Sequence, residues 1–223
     1  MIMSAFLALP IAYLIGSIPS GLLVVRFATG QDVRAIESGR TGGTNAMRAA
    51  GFLAGLVTGI LDILKGAAAV WVSKSFVSGT EWMSAVSGLM AIIGHNYSAF
   101  LIKKGEDGKI RFKGGAGGAT TLGAAIGLWA QSWMFILPFA LIFYVIVGYA
   151  SLTTISIATA AMGVFLVRAI KGNDPWGYVA FGAAAMVLVV IALRPNIQRL
   201  KEGTERRVDL IARIFKKAEY KKE

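Results

Sequence analysis

The chain of 223 residues has no cysteine, a single histidine (His95), and only 16% charged residues. Without cysteine there is no disulfide framework, thiol nucleophile, iron–sulfur cluster or cysteine-ligated zinc. One histidine leaves no histidine-rich metal centre either, so neither a metal nor a cofactor is expected. Soluble domains carry about 25% charged residues, and a water-exposed surface could not be covered with fewer than these. Acidic residues are the scarcest charge, at 12 against 23 Lys and Arg.

What the chain has instead is apolar sequence, at 56% hydrophobic residues with 27 glycines. A helix needs roughly 20 apolar residues to cross a ~30 Å hydrocarbon layer. Spans are predicted near 3–25, 52–73, 82–102, 119–131, 133–149, 151–169 and 177–193. Pro10 and Pro19 predict a kinked first span, which lacks the basic start of a cleaved signal peptide. The fourth is short and rich in Gly and Ala. Open sheets do not survive in lipid and barrel alternation is absent, so the expected class is all-α and polytopic.

The basic residues test that count. All but Lys65, Lys74, Arg168 and Lys171 fall on one side if seven spans begin with the N-terminus outside. This is the distribution the positive-inside rule prefers, and fusing the fourth and fifth spans would export the basic tail. The net charge of +11 therefore reads as topology and attraction to anionic lipids rather than nucleic-acid binding. Residues 200–223 alternate basic side chains with Leu210, Ile211, Ile214 and Phe215. They are expected to form a separate amphipathic cytoplasmic tail after a membrane domain spanning 1–199.

On this topology five polar clusters share the cytoplasmic face. They are the segment from Glu37 to Arg48, Gly94-His95-Asn96-Tyr97, the run from Lys113 to Thr121, Ser151, and Arg194-Pro195-Asn196. Backbone N–H groups of Gly42, Gly43, Gly114 and Gly115 can approach phosphate oxygens unobstructed, while Arg48 and Lys113 add fixed charge. Ser38, Thr44 and Asn45 add neutral donors, and His95 can exchange a proton near neutral pH. The set suits an anionic small molecule at the inner leaflet. Gly51, Gly55 and Gly59 form a small-residue ladder assigned to packing. Asp62 and Lys65, three apart in the second span, are expected to pair structurally. There is no nucleotide P-loop and no G-x-S-x-G elbow. Phe100 stands where a His-x-x-x-x-Asp acyltransferase motif needs its acid.

The ordered set of motifs resembles the acyl-phosphate:glycerol-3-phosphate acyltransferase family. It comprises Gly16-Ser17-Ile18-Pro19-Ser20-Gly21, Ser38 to Arg48, Leu61-Asp62-Ile63-Leu64-Lys65-Gly66, Gly94-His95, Lys113-Gly114-Gly115 and Arg194-x-Asn196 through Glu205. The resemblance spans nearly the whole chain. It implies a seven-span bacterial inner-membrane enzyme that moves an acyl group from acyl phosphate to glycerol 3-phosphate, forming lysophosphatidate for phospholipid synthesis. It implies Ser38 and His95 at the reacting hydroxyl, and phosphate held by Arg48, Lys113, Ser151 and Asn196. Gly42, Gly43, Thr44 and Asn45 would supply donors around the acyl phosphate, and Glu205 would orient a basic partner. The chain differs from the family pattern at Ala116, where a second loop lysine is usual, at Gly148, where an arginine is usual, and in a longer loop before Lys113. Two rival readings are a homologue with another phosphorylated acceptor or without catalysis, and a small organic-phosphate transporter. A transporter would gather its polar groups near the midplane and often show internal repeats, and this chain does neither.

Overall fold

The computed structural model describes residues 2–76, 80–104, 108 and 110–207. Helices dominate it, in the order α1 (Ile2–Ser17), α2 (Ser20–Thr29), α3 (Gly43–Ala50), α4 (Phe52–Phe76), α5 (Glu81–Asn96), α6 (Gly118–Leu128), α7 (Trp133–Val147), α8 (Ala150–Ile170), α9 (Trp176–Ala192) and α10 (Arg194–Lys201). Between α5 and α6 lies a small antiparallel hairpin of β1 (Ile102–Lys104) and β2 (Ile110–Phe112), with Lys103 opposite Arg111. The all-α class holds, with this hairpin as a local exception.

The first apolar segment is two helices. Pro10 is carried inside α1, whereas Pro19 breaks the chain and starts α2. A proline disfavours helical geometry in the residue before it, here Ile18, and has no N–H of its own. The carbonyl of Ile18 is recovered by Lys65 from α4, whose Nζ donates to it at 2.8 Å. Two further differences shorten the expected third span and split the first loop. Helix α5 stops at Asn96, where Ser98 accepts from the Phe100 N–H and redirects the chain toward the hairpin. The loop after α2 holds an unforeseen helix, α3, lying on α4. Gly55 faces Met47 and Gly43 there, so the small-residue ladder serves this contact.

Leu7–Thr29, Phe52–Phe76, Ala130–Val147 and Ala150–Ile170 are each long and apolar enough to cross a membrane; α9 and α10 form a fifth candidate bent by 64°. The central helices are shorter. Helix α6 has 11 residues, nearly all buried, and is built from small side chains that let it sit against α4. A Cβ at Gly123 would strike the Ile63 carbonyl, so the two backbones touch only because glycine is there. The apolar core joins Val70, Ile92, Leu122, Ile136 and Phe165 with Phe181 and Tyr178, whose ring meets Phe165 edge-on at 5.4 Å. Helix α7 is apolar on all sides and leaves Met134, Phe135, Leu141, Ile142 and Ile146 exposed, as a lipid-facing helix does.

Residues 208–223 lie outside the described residues, and with them most of the expected amphipathic tail.

Candidate active site

The site is built by four pieces of chain that return to one end of the bundle. The first is the loop after α2. Asp32 caps a short turn by accepting from the Arg34 N–H at 2.9 Å, and also pairs with the Arg34 guanidinium. Behind the loop stands Asn45 of α3, buried at 3% exposure. Its amide nitrogen lies 2.9 Å from each of the Val33, Ile36 and Arg40 carbonyls. The loop is folded around that side chain, and its donors are consumed there. Glu37 takes a left-handed φ of 44°, a conformation that side chains normally avoid. That turn delivers Ser38, Gly39 and Arg40 to the rim of an open pocket.

The pocket has a volume of about 470 Å³. Arg40, Lys113, Arg194 and Arg199 line it, and among the described residues no carboxylate does. Ser38, Asn96 and Tyr97 add neutral polar groups, while Phe112, Ile191 and Pro195 add apolar wall. Four cations without an acid select an anion, and Arg can grip phosphate with two parallel hydrogen bonds. Ser38 Oγ accepts from the Arg40 N–H at 3.4 Å, which fixes the hydroxyl beside the cation. The Arg40 guanidinium donates to Gly115 O at 3.0 Å and also to Ala192 O, at the end of α9. Burial, and next the charge of Arg199, lower its pKa from the ordinary value.

His95 lies immediately behind this wall, 5% exposed, one residue before the pocket-lining Asn96. Its Nδ1 is 3.6 Å from Asp62 Oδ1, too long for a hydrogen bond but close for an imidazole and a buried charge. The same oxygen is 2.8 Å from Lys65 Nζ. On the other side of the ring, Nε2 faces Gly115, where a Cβ would overlap it. The glycine segment is clamped in place: Gly115 N–H donates to His95 O at 2.9 Å, and Gly114 O accepts from Thr41 N–H at 3.3 Å. Gly114 and Gly115 therefore cover the imidazole and join α5 to the loop after α2.

The remaining sequence-derived candidates do not line the pocket. Gly42 caps α3, Gly43 and Thr44 form its first turn, and Arg48 occupies its last turn. Ser151 lies in the first turn of α8, buried, with its hydroxyl unpartnered among the described residues. Asn196 of α10 donates to Glu205 Oε1 at 3.2 Å, so the neighbour of Glu205 seen here is an amide. Asn196 Oδ1 and Glu205 Oε2 are buried without partners among the described residues, as are both amide atoms of Asn96. Buried polar atoms are almost always hydrogen-bonded, so each such group needs a partner, and that of Asn96 stands at the lining of the cationic pocket. Arg40, Asn96, Tyr97, Arg194 and Arg199 line the pocket without having been predicted as site residues. All but Arg199 lie inside one of the five polar clusters, and Arg199 stands five residues beyond Arg194. Arg40 follows the Ser38-Gly39 turn by one residue, and that adjacency was the available signal.

A helical membrane protein with a buried imidazole–carboxylate pair behind a cation-lined pocket belongs to the class of membrane enzymes that act on small anions. The family model described as glycerol-3-phosphate acyltransferase matches residues 6–203, and the chain belongs to that family. It is 41% identical over 204 residues to glycerol-3-phosphate acyltransferase 2 of Moorella thermoacetica, covering 91% of this chain and 96% of the relative. It is 36% identical over 205 residues to a glycerol-3-phosphate acyltransferase of Thermus thermophilus, covering 92% and 96%. It also resembles the crystal structure of PlsY (YgiH), an integral membrane glycerol 3-phosphate acyltransferase, in its glycerol 3-phosphate form. That match has a TM-score of 0.79 and 29% identity, over 95% of this chain and 99% of the other. The lysophosphatidic acid form of PlsY gives 0.74 and 31%, over 92% and 95%.

Proposed function

We propose that this enzyme transfers an acyl group from acyl phosphate to glycerol 3-phosphate, releasing lysophosphatidate and inorganic phosphate. The observation that carries the reading is the pocket of four cations placed against the His95–Asp62 pair. Both proposed substrates are phosphates, and the acyl chain of one requires access from lipid.

The chemistry assigned to the site is one nucleophilic substitution. The C1 hydroxyl of glycerol 3-phosphate attacks the acyl carbonyl carbon. A C–O ester bond forms, and the bond from that carbon to the phosphate oxygen breaks. The leaving phosphate takes the electron pair. The hydroxyl proton goes to His95 or to that phosphate. An Nδ1–H directed at Asp62 would leave Nε2 as the imidazole's acceptor, which general-base catalysis can use once the Gly115 segment covering it gives access to the substrate hydroxyl. Ser38, beside Arg40, is assigned to orient the acceptor. Lys113 binds phosphate in the pocket, while Arg48, Thr44, Ser151 and Asn196 serve the reacting groups from the surrounding shell. Asn45, Gly42, Gly43, Gly114 and Gly115 hold the loops that present them. The acyl chain lies between helices.

The enzyme is placed in the bacterial inner membrane. It crosses seven times, with the N-terminus outside, the pocket cytoplasmic and the basic 200–223 tail on anionic lipid. Helices α5 and α6 are short crossings in this scheme because their ends are given over to the site. The positive-inside distribution of Lys and Arg supports it.

The donor is tested by supplying purified protein with glycerol 3-phosphate and either acyl phosphate or an acyl thioester. Lysophosphatidate and inorganic phosphate in equal amounts from acyl phosphate alone are expected. Product from the thioester alone would replace the donor.

A further inference from the structure

Among the cations of the pocket, Arg40 is in an unusual electrostatic position. It has two carbonyl partners, Gly115 O and Ala192 O, and among the described residues no carboxylate within ion-pair distance. A half-buried cation is normally paired, because taking it partly out of water costs free energy that neutral hydrogen bonds only partly return. The charge of Arg199 in the same pocket deepens the cost, and Tyr97 and the more distant Glu205 carboxylate offset part of it. Two of the five guanidinium N–H donors are committed to carbonyls, which leaves the others for a further acceptor. The carbonyls also fix the planar group, so little rotamer freedom is left to lose when a ligand arrives.

A second feature points to the same spot. Asn96, 5% exposed, lines the pocket with both amide atoms buried and unpartnered among the described residues. Among the described residues, a cation with no carboxylate in ion-pair contact and an amide without a hydrogen-bond partner line one cavity. A phosphate oxygen can accept from both the guanidinium and Asn96 Nδ2, while Asn96 Oδ1 needs a donor such as a substrate hydroxyl.

We propose that Arg40 is the anchoring phosphate contact of this pocket, assisted by Asn96, and that it thereby couples phosphate binding to the Gly115 segment covering His95. The inference rests on the acyl-transfer reading above and names a residue of its binding site. The purely structural alternative makes Arg40 a cap on the last carbonyls of α9 that ties three segments together and never meets substrate.

The test compares wild type with Arg40→Gln in two measurements. One is the shift of the unfolding midpoint on adding inorganic phosphate. The other is KM for glycerol 3-phosphate and for acyl phosphate. Loss of a charged hydrogen bond corresponds to about ten- to hundredfold in binding. Arg40→Gln is therefore expected to raise KM for at least one substrate by roughly that factor and to abolish the phosphate-induced shift. An altered KM for one substrate only identifies which phosphate Arg40 holds. If the variant unfolds at lower temperature yet keeps both KM values and the full phosphate shift, Arg40 is only a cap and the proposal is overturned. If wild type itself shows no phosphate shift and makes no lysophosphatidate, the acyl-transfer reading fails along with it.

Should Arg40→Gln not fold, wild type alone decides the question. Modification of arginines by phenylglyoxal is followed by mass spectrometry with and without phosphate. Phosphate should slow modification at Arg40 and leave the exposed Arg26 unchanged. Equal modification of Arg40 in both conditions, in protein that phosphate stabilises, overturns the proposal.

Discussion

Asp62 Oδ1 stands between Lys65 Nζ at 2.8 Å and His95 Nδ1 at 3.6 Å, and all three side chains are nearly inaccessible to solvent. One carboxylate therefore neutralises a buried ammonium and faces the imidazole. Through Lys65 it is tied to Ile18, where Pro19 interrupts the first apolar segment. The break in that segment, the charge pair in α4 and the histidine of α5 form one connected unit.

Removing the carboxylate leaves Lys65 buried and unpaired. Breaking one side of a buried ion pair costs about 3–5 kcal/mol. Asp62→Ala is expected to lose stability on that scale in detergent unfolding, and to lose activity even at temperatures where it stays folded. A neutral effect on stability would show that the pair is hydrated.

Gly115→Ala tests the cover over the imidazole. The new methyl group would occupy the space of His95 Nε2 and push the ring or the loop aside. Displacement of about 1 Å at a reacting group can cost on the order of 10²-fold in rate. A kcat reduced by about that factor is expected. Unchanged kcat would mean that the ring accommodates the methyl without consequence.

The bundle itself was legible because it rests on composition: long apolar runs and the sidedness of Lys and Arg need no long-range knowledge. The polar clusters were legible for the same reason, being expensive exceptions in lipid. What each residue does inside a cluster was less legible, because it depends on partners far along the chain. Asn45 looked like a donor to phosphate and spends its amide on Val33, Ile36 and Arg40. Arg48, expected with Lys113 to supply fixed charge, sits in the last turn of α3, and Arg40, eight residues earlier, lines the pocket and reaches Gly115 and Ala192. The hairpin of Ile102–Lys104 and Ile110–Phe112 was hidden because its first strand continues an apolar run from α5.

Asn45→Ala separates the two possible duties of that side chain. As a strut, it satisfies carbonyls that are otherwise left short of partners, at about 1–3 kcal/mol for each buried group orphaned. The variant is expected to unfold more easily and to be cut by protease within 30–42. Wild-type stability with only a raised KM would instead assign Asn45 to substrate.

Ala116 departs from the family pattern, and its surroundings explain why a lysine is not simply missing there. Its side chain packs against the apolar cluster of Ala158, Val189 and Leu193. Ala116→Lys is expected to lower the unfolding midpoint and leave KM for glycerol 3-phosphate no better than wild type. A lowered KM would show that the pocket lacks a cation at that position.

The cation-lined pocket and His95 are proposed to form a single site of acyl transfer. The most direct measurement is lysophosphatidate formation from acyl phosphate and glycerol 3-phosphate by purified wild type and His95→Ala, both shown to be folded and stabilised by phosphate. Product from wild type and loss of about 10²–10⁴-fold in kcat for the variant is the expected result. Equal rates from the two proteins, or no product from wild type, would contradict it.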